Sequence, residues 1–353
     1  MTAYRQAAER YRAGNPAEAA AALQRLDREQ LKIVVPWLDA LRMVPQSLRD
    51  LDHFRPFSDF NWRAFAWDRP TLRAAGMLHV EAAVTAFRAN DEADFKFHSE
   101  MASTVLAIAD RPRPKSNEVT GTTEQRATLA ISLLLVDDSG AFPSGKRYLS
   151  VAIGRFPDDP QLLLTVGTLN EADATRWIAP VPRVDDSDGA RRSRAVRNAA
   201  LHDAAGLFER AIASDPSLLE ARVRLAHVRI LERKDNDATT LLVQVLAAQP
   251  PPEWTYVARL MLGDVDERAG KTDEANRLYV DAIAVQPDGQ SAYIALSEAM
   301  YAGGNRSAAT DVLARLYGRH LTPESHDPWW EYPFGNWRDA EPMLESLRAE
   351  ARQ

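Results

Sequence analysis

Residues 262–287 read LGDVDERAGKTDEANRLYVDAIAVQP, and this stretch decides the fold. Leu262 and Gly263 open it, Gly270 precedes Lys271, Ala275 is followed four residues later by Tyr279, and Ala282 leads to Pro287. The order is helix, tight turn, helix, stop. In a unit of about 34 residues built from two antiparallel helices, one position on the second helix must be small so that the first can approach, and the next turn must carry a large apolar plug. The same pattern recurs on either side. Ala204, Ala238, Ala275 and Ala309 stand 34, 37 and 34 residues apart, and four residues after each come Phe208, Leu242, Tyr279 and Leu313. Ala226, Gly263 and Ser297 are the small residues of the first helices, preceded by Leu225, Leu262 and Leu296. Gly270 and Gly304 mark the turns, where glycine takes the left-handed conformation at little steric cost, and Arg233 is a departure in the equivalent slot. Pro216, Pro250 and Pro287 end the second helices, and the three extra residues of the longer interval fall between helix pairs, at Pro250, Pro251, Pro252 and Glu253.

These residues resemble the tetratricopeptide repeat family, whose pattern places a Leu and a small residue on the first helix, Gly at the turn, then Ala, an aromatic, Ala and Pro. Gly263, Gly270, Ala275, Tyr279, Ala282 and Pro287 carry it most fully, and it extends from about residue 198 to residue 317. The resemblance implies an all-α, right-handed solenoid of antiparallel helix pairs. Its amino-terminal repeats are degenerate: Ala7, Gly14, Asn15, Ala19 and Leu23 outline one more hairpin, and the amphipathic stretches 72–89 and 95–109, the first holding His79 and Glu81, outline another. Gly145 to Pro157 reads as a second helix, and Gln161 to Thr175, with Gly167, as the first helix of the next pair.

The organisation expected is an amino-terminal helical region over 1–110 and a solenoid over 126–353, joined by the Pro-rich break 111–125, in one continuous superhelix. Residues 179–197 lack apolar periodicity. That predicts an inserted, disordered loop before a helix that begins near Asn198; the order of acidic residues followed by Arg191, Arg192, Arg194 and Arg197 offers partner docking as the rival. Trp37, Phe54, Phe57, Phe60, Trp62, Phe65 and Trp67 are read as a core cluster closing one end, with an exposed binding patch as the rival. At the other end, the aromatic run from Asp327 to Trp337 and an amphipathic helix bearing Met343, Leu344 and Leu347 are read as a cap over the last helix pair, 327–353, with a docking site as the rival.

The composition excludes several classes. With 353 residues and 45% hydrophobic content the chain can bury a large core, and a net charge of −7 argues against nucleic acid or an anionic membrane as the main partner. There is no cysteine, hence no disulfide and no thiolate metal site. After Met1 the chain runs through Arg5, Glu9, Arg10 and Arg12 without the apolar run of an export signal, and no segment is long enough to span a bilayer; a cytoplasmic protein is expected, or an exported one if a leader has been removed.

Three motifs fail on inspection. Gly140, Gly145 and Lys146 have the spacing of a phosphate-binding loop after the strand-like run Leu133 to Val136, but Arg147 stands where Ser or Thr would ligate magnesium. Residues 184–189 suggest a calcium loop, yet Val184 and Ala195 occupy ligand positions. His320, His326 and Asp327 are the nearest approach to a zinc cluster and lack its spacing. No catalytic residue, cofactor or metal is therefore assigned.

In the resembled family the first helix of each pair lines the concave face. Carrying those positions over gives Arg224, His227, Asp264, Glu267, Arg268, Glu298 and Tyr301 as the groove, mixed in charge and without the paired lysines and asparagines that clamp a terminal carboxylate in some members. The function implied is a non-enzymatic scaffold or adaptor holding an extended peptide or partner protein. A small-molecule site or enzyme in the aromatic amino-terminal half is the alternative, and self-association through the solenoid edge a third reading.

Overall fold

The computed structural model describes residues 2–32, 67–110, 122–137, 143–177, 188–319, 326–332 and 339–353, and among these there is helix and no strand. They form two compact units, Met1–Ala152 together with Asp339–Gln353, and Ile153–Arg338. The first unit is thus discontinuous in sequence, and the division falls at Ala152 where the sequence reading divides the chain at 111–125.

In the first unit α1 (Thr2–Arg12) pairs with α2 (Pro16–Gln24), and α3 (Arg69–Arg88) pairs with α4 (Glu92–Ala109). They are followed by α5 (Thr123–Asp137) and α6 (Pro143–Arg155). Residues 133–136 lie inside α5 and Gly145 and Lys146 inside α6, so the strand-like run before the phosphate-loop match is helical and the motif fails in structure as it does in sequence. The second unit continues with α7 (Pro160–Ala172), extended by a π turn at Asp173–Trp177, and α8 (Asp188–Ser214). Three further pairs follow: α9 (Leu219–Leu231) with α10 (Asp235–Ala247), α11 (Pro252–Arg268) with α12 (Thr272–Val285), and α13 (Gln290–Ala302) with α14 (Arg306–Tyr317). The short α15 (Pro328–Glu331) completes this unit, and α16 (Glu341–Arg352) returns to the first.

The turns show that the pairs are repeats of one motif. After α1, α3, α9, α11 and α13 the chain passes through one residue of positive φ: Gly14 (83°), Asn90 (57°), Arg233 (65°), Gly270 (76°) and Gly304 (84°). In each case the next amide reaches back five residues, as in Lys234 N–H to Arg229 C=O (2.8 Å), Lys271 to Asp266 (2.9 Å) and Asn305 to Met300 (2.9 Å), capping the first helix with an αL turn. Arg233 therefore departs from the pattern in side chain but not in backbone.

Between the helices of a pair, small residues meet plugs. A Cβ on Gly263 would lie 2.2 Å from the Tyr279 ring, one on Gly167 2.5 Å from Phe208, and one on Gly76 2.5 Å from Leu106. Ala204, Ala238, Ala275 and Ala309 are buried, and the cores of the second unit run through Phe208, Leu242, Tyr279 and Leu296. Apolar burial at about 25 cal/mol per Å² is the main force holding each pair to its neighbours.

Two expectations are corrected. Helix α8 starts at Asp188, so the part of 179–197 from Asp188 onward is helical; Ala and Arg are good helix formers, Ala190 is buried, and Arg197 Nε donates to the Ala174 carbonyl (3.3 Å). Residues 179–187 lie outside the described residues, as do 184–187 of the calcium-like motif, Gly140, His320 and the aromatic residues Trp37 to Phe65; Trp67 is buried. Helix α16 is present as expected but packs on α1, α3 and α5 rather than on the last pair. Its charged face finds partners there: Arg348 Nε donates to Glu81 (2.6 Å), and Arg126 holds Glu350 through two bonds of 2.6 Å. A sequence reading that sends those charges to solvent assigns the helix to the wrong neighbour.

Candidate functional site

The first helices of the second unit carry a cluster of buried charges. Glu171 lies near the end of α7, as the one charged residue of that helix, and Glu220, Arg224 and His227 lie on one face of α9. Arg224 Nη1 donates to Glu171 (3.0 Å) and Nε to Glu220 (2.7 Å), and its side chain is 1% exposed. His227 Nδ1 is 2.6 Å from the second Glu171 oxygen, and with a carboxylate as partner that nitrogen carries the proton. Burial opposes ionisation of Glu171, but Arg224, His227 and the Tyr332 hydroxyl outweigh it and hold its pKa below the ordinary value. Burial works against the Arg224 cation in turn, and Glu220 and Glu171 more than restore it, so its pKa is raised.

Residues 326–332 lie over this cluster. Asp327 caps α15 through Trp329 N–H (2.9 Å) and accepts from the first-turn amide of α13 at Ser291 (2.6 Å). Gln286 Nε2 donates to the His326 carbonyl (3.3 Å). Trp329 and Tyr332 stack at 5.9 Å and 8°, the His227 ring meets both edge-on, and the Arg224 guanidinium sits 4.7 Å over the Tyr332 ring while donating to the Tyr332 carbonyl (3.3 Å). The Tyr332 hydroxyl donates to Glu171 (2.6 Å); burial, then the neighbouring carboxylate, raises its pKa well above the usual value.

Beside Trp329 opens a cavity of about 590 Å³ between α9, α11 and α13. Ile230, Leu260 and Met261 give it an apolar lining, and Asp264, Glu267 and Glu298 bring three carboxylates. Arg268 is held by Asp235 and Asp264, both at 3.2 Å, and the Tyr279 hydroxyl donates to Glu267 (3.1 Å).

Of the seven groove residues expected, the structure brings His227, Asp264, Glu267, Arg268 and Glu298 to this one cavity. Arg224 is underneath the Tyr332 ring, out of reach of a ligand in this state. Tyr301 is 58% exposed, has Arg306 over its ring at 5.4 Å, and is not among the lining residues. Glu171 is not among the expected groove residues, and Trp329 and Tyr332 enter the sequence reading only within the aromatic run 327–337. Glu171 carries a signal, as the one charged residue between Leu162 and Ala172; the aromatic run reads from sequence as a cap over the last helix pair.

The first unit has a cavity of its own, about 430 Å³, lined by Tyr11, Glu81, Phe97, His98 and Arg348 among others. Behind it His79 Nδ1 is 2.9 Å from His98 Nδ1, and His79 Nε2 is 3.1 Å from the Tyr4 hydroxyl. Burial lowers the pKa of both histidines, to about 3 for His79 and about 4 for His98, so the pair is neutral at pH 7. Among the described residues no group of three or more His, Asp or Glu side chains is placed to hold a metal ion, and no helix is long and apolar enough to cross a membrane.

No family model and no curated protein matches the chain. Solved structures of MamA are similar in part. One is 18% identical with TM-score 0.38, covering 51% of this chain and 89% of that one. Another, residues 41 to the end of MamA from Desulfovibrio magneticus RS-1, is 16% identical with TM-score 0.41, covering 55% and 93%. At these values the assignment of the fold rests on the chain's own geometry. The αL turns, the glycine–aromatic contacts and the buried alanines make the second unit a stack of antiparallel helix pairs, the fold that the repeat in the sequence predicts.

Proposed function

We propose that the second unit binds a linear segment of a partner protein along the trough lined by α9, α11 and α13, and that the chain acts as an adaptor rather than as an enzyme. The observation that carries this reading is the cavity beside Trp329, where an apolar floor is flanked by Asp264, Glu267 and Glu298. A peptide with one apolar anchor and a nearby Lys or Arg complements that arrangement, since apolar burial supplies affinity while the carboxylates steer and orient a cation. Arg268, already held by two carboxylates, stays part of the wall.

Selection of a random peptide display library on the immobilised full chain tests the proposal. Recovered peptides should share an apolar residue close to a basic one and should weaken with added salt. The variant Asp264→Lys/Glu267→Lys/Glu298→Lys should bind them at least tenfold more weakly. Recovery of the same peptides by that variant, at undiminished affinity, would exclude the trough.

A further inference from the structure

Residues 326–332 are seated in the trough through contacts of the kind a bound peptide makes, with Tyr332 reaching into the core beneath and Trp329 packed against it. Donors from the trough wall reach its main chain at two places, Gln286 on the His326 carbonyl and Arg224 on the Tyr332 carbonyl, and the Asp327 side chain at a third, the Ser291 amide, while Glu171 accepts from the Tyr332 hydroxyl. Trp329 and Tyr332 point inward as a stacked pair, and Trp330 between them is 62% exposed. The floor beneath them holds two carboxylates and a guanidinium, with Arg224 1% exposed and Glu171 almost as deeply buried. Buried charges are a poor choice for a permanent core, because removing them from water is costly and an apolar replacement is often as stable. They suit a surface that alternates between wet and covered, where the same groups are solvated when the segment leaves and give it direction when it binds.

We propose that this trough is a recognition site for segments of the form Asp-Pro-aromatic with a tyrosine three residues after the aromatic, and that residues 326–332 hold it as an intrinsic ligand which a partner segment of the same form displaces. This rests on the reading above that the trough holds linear segments, and it adds a second subsite, over Arg224 and His227 beside the acidic cavity, with a partner chemistry of its own. The Asp supplies a helix cap and takes the Ser291 amide, the proline starts the short helix, and the two rings fill the space over Arg224 and His227. Being tethered, the internal segment competes at an effective concentration in the millimolar range, so a micromolar peptide binds the intact protein weakly.

The test uses a fluorescein-labelled peptide of sequence 326–332, full-length protein, and the full-length variants Tyr332→Phe and Trp329→Ala, each checked for folding by far-UV circular dichroism. Tyr332→Phe deletes the bond to Glu171 from the internal segment, while the added peptide retains it. Fluorescence anisotropy should show the peptide binding Tyr332→Phe about tenfold or more tighter than wild type, and Trp329→Ala tighter still, with a scrambled peptide failing on all three. Folded variants that bind the peptide no better than wild type, or no better than they bind the scrambled sequence, overturn the proposal. If library-selected peptides meanwhile depend on the three carboxylates, the trough reading stands and only this inference falls. If the 326–332 peptide binds the variants but carboxylate reversal leaves every library peptide bound, this inference holds and the acidic-cavity reading falls.

Discussion

Replacing Gly263 by Ala tests the contact on which the helix pairs depend. In an exposed helix the change gains about 1 kcal/mol, because alanine is the better helix former. At Gly263 the new Cβ would stand 2.2 Å from Tyr279 Cε1 and 2.7 Å from Cζ, over 1 Å inside ordinary contact. The ring is poorly placed to retreat: it is 2% exposed within the core and its hydroxyl is tied to Glu267 at 3.1 Å. Overpacking of this kind costs about 3 kcal/mol at the upper end of its range, leaving a net loss of about 2 kcal/mol. Gly206 supplies the control, since it lies within α8 and a Cβ there meets nothing within 4 Å, so Gly206→Ala should stabilise by about 1 kcal/mol. For a unit of this size the difference of about 3 kcal/mol corresponds to roughly 6–12 °C in Tm, readable by circular dichroism at 222 nm. Adding Tyr279→Leu should make Gly263→Ala less damaging, with a coupling of about 1 kcal/mol or more in a double-mutant cycle. Equal Tm values for Gly263→Ala and Gly206→Ala would refute the packing described here.

Arg233→Gly should raise stability by about 0.5–1 kcal/mol in urea unfolding, because a left-handed non-glycine residue costs about 1–2 kcal/mol and glycine's extra chain entropy returns part of it. Arg224→Met should cost about 3–5 kcal/mol by leaving Glu171 and Glu220 without their cation, and Arg224→Met/Glu171→Gln should cost less than the single change; thermal unfolding of the three proteins decides. His79 and His98 have folded pKa values of about 3 and about 4 against an ordinary 6.5, so the unfolded chain binds more protons below pH 6.5. Their contribution is undiminished above that pH and should erode by about 2–4 kcal/mol between pH 7.5 and 5, a loss that His79→Leu/His98→Leu should reduce in denaturant titrations at the two pH values. Ending the chain at Arg338 should destabilise the first unit, since Leu344, Leu347 and Ala351 are buried there; hydrogen exchange should rise in α3 and α5 and remain unchanged in α11 and α12.

The repeat was legible because its constraints are local. A small residue opposite a plug, a left-handed turn and a proline stop lie within one unit of about 34 residues, and each leaves a letter at a fixed offset. Even the exception at Arg233 obeys the backbone rule. The trough was legible in part for the same reason, with five of its seven positions reaching one cavity. What could not be read was set by distance along the chain. Tyr332 meets Glu171 across 161 positions and Arg126 meets Glu350 across 224, and no periodicity links such pairs. An amphipathic helix such as α16 declares that it has an apolar face but not which face it will meet. The start of α8 was missed for a different reason: a helix rich in arginine has little apolar stripe to show, although its propensity is high.

The split of the first unit, whose two parts flank the second in sequence, also orders its synthesis. Residues 153–338 emerge from the ribosome as an uninterrupted stretch and can complete their core while translation continues, whereas α1, α3 and α5, made earlier, wait for α16. At about 5–20 residues per second, the roughly two hundred residues between α5 and α16 take some ten seconds or more to make, and for that time apolar surface meant for Leu344 and Leu347 stands open to chaperones. Of the two units, the one whose synthesis begins earlier is therefore the later to be completed.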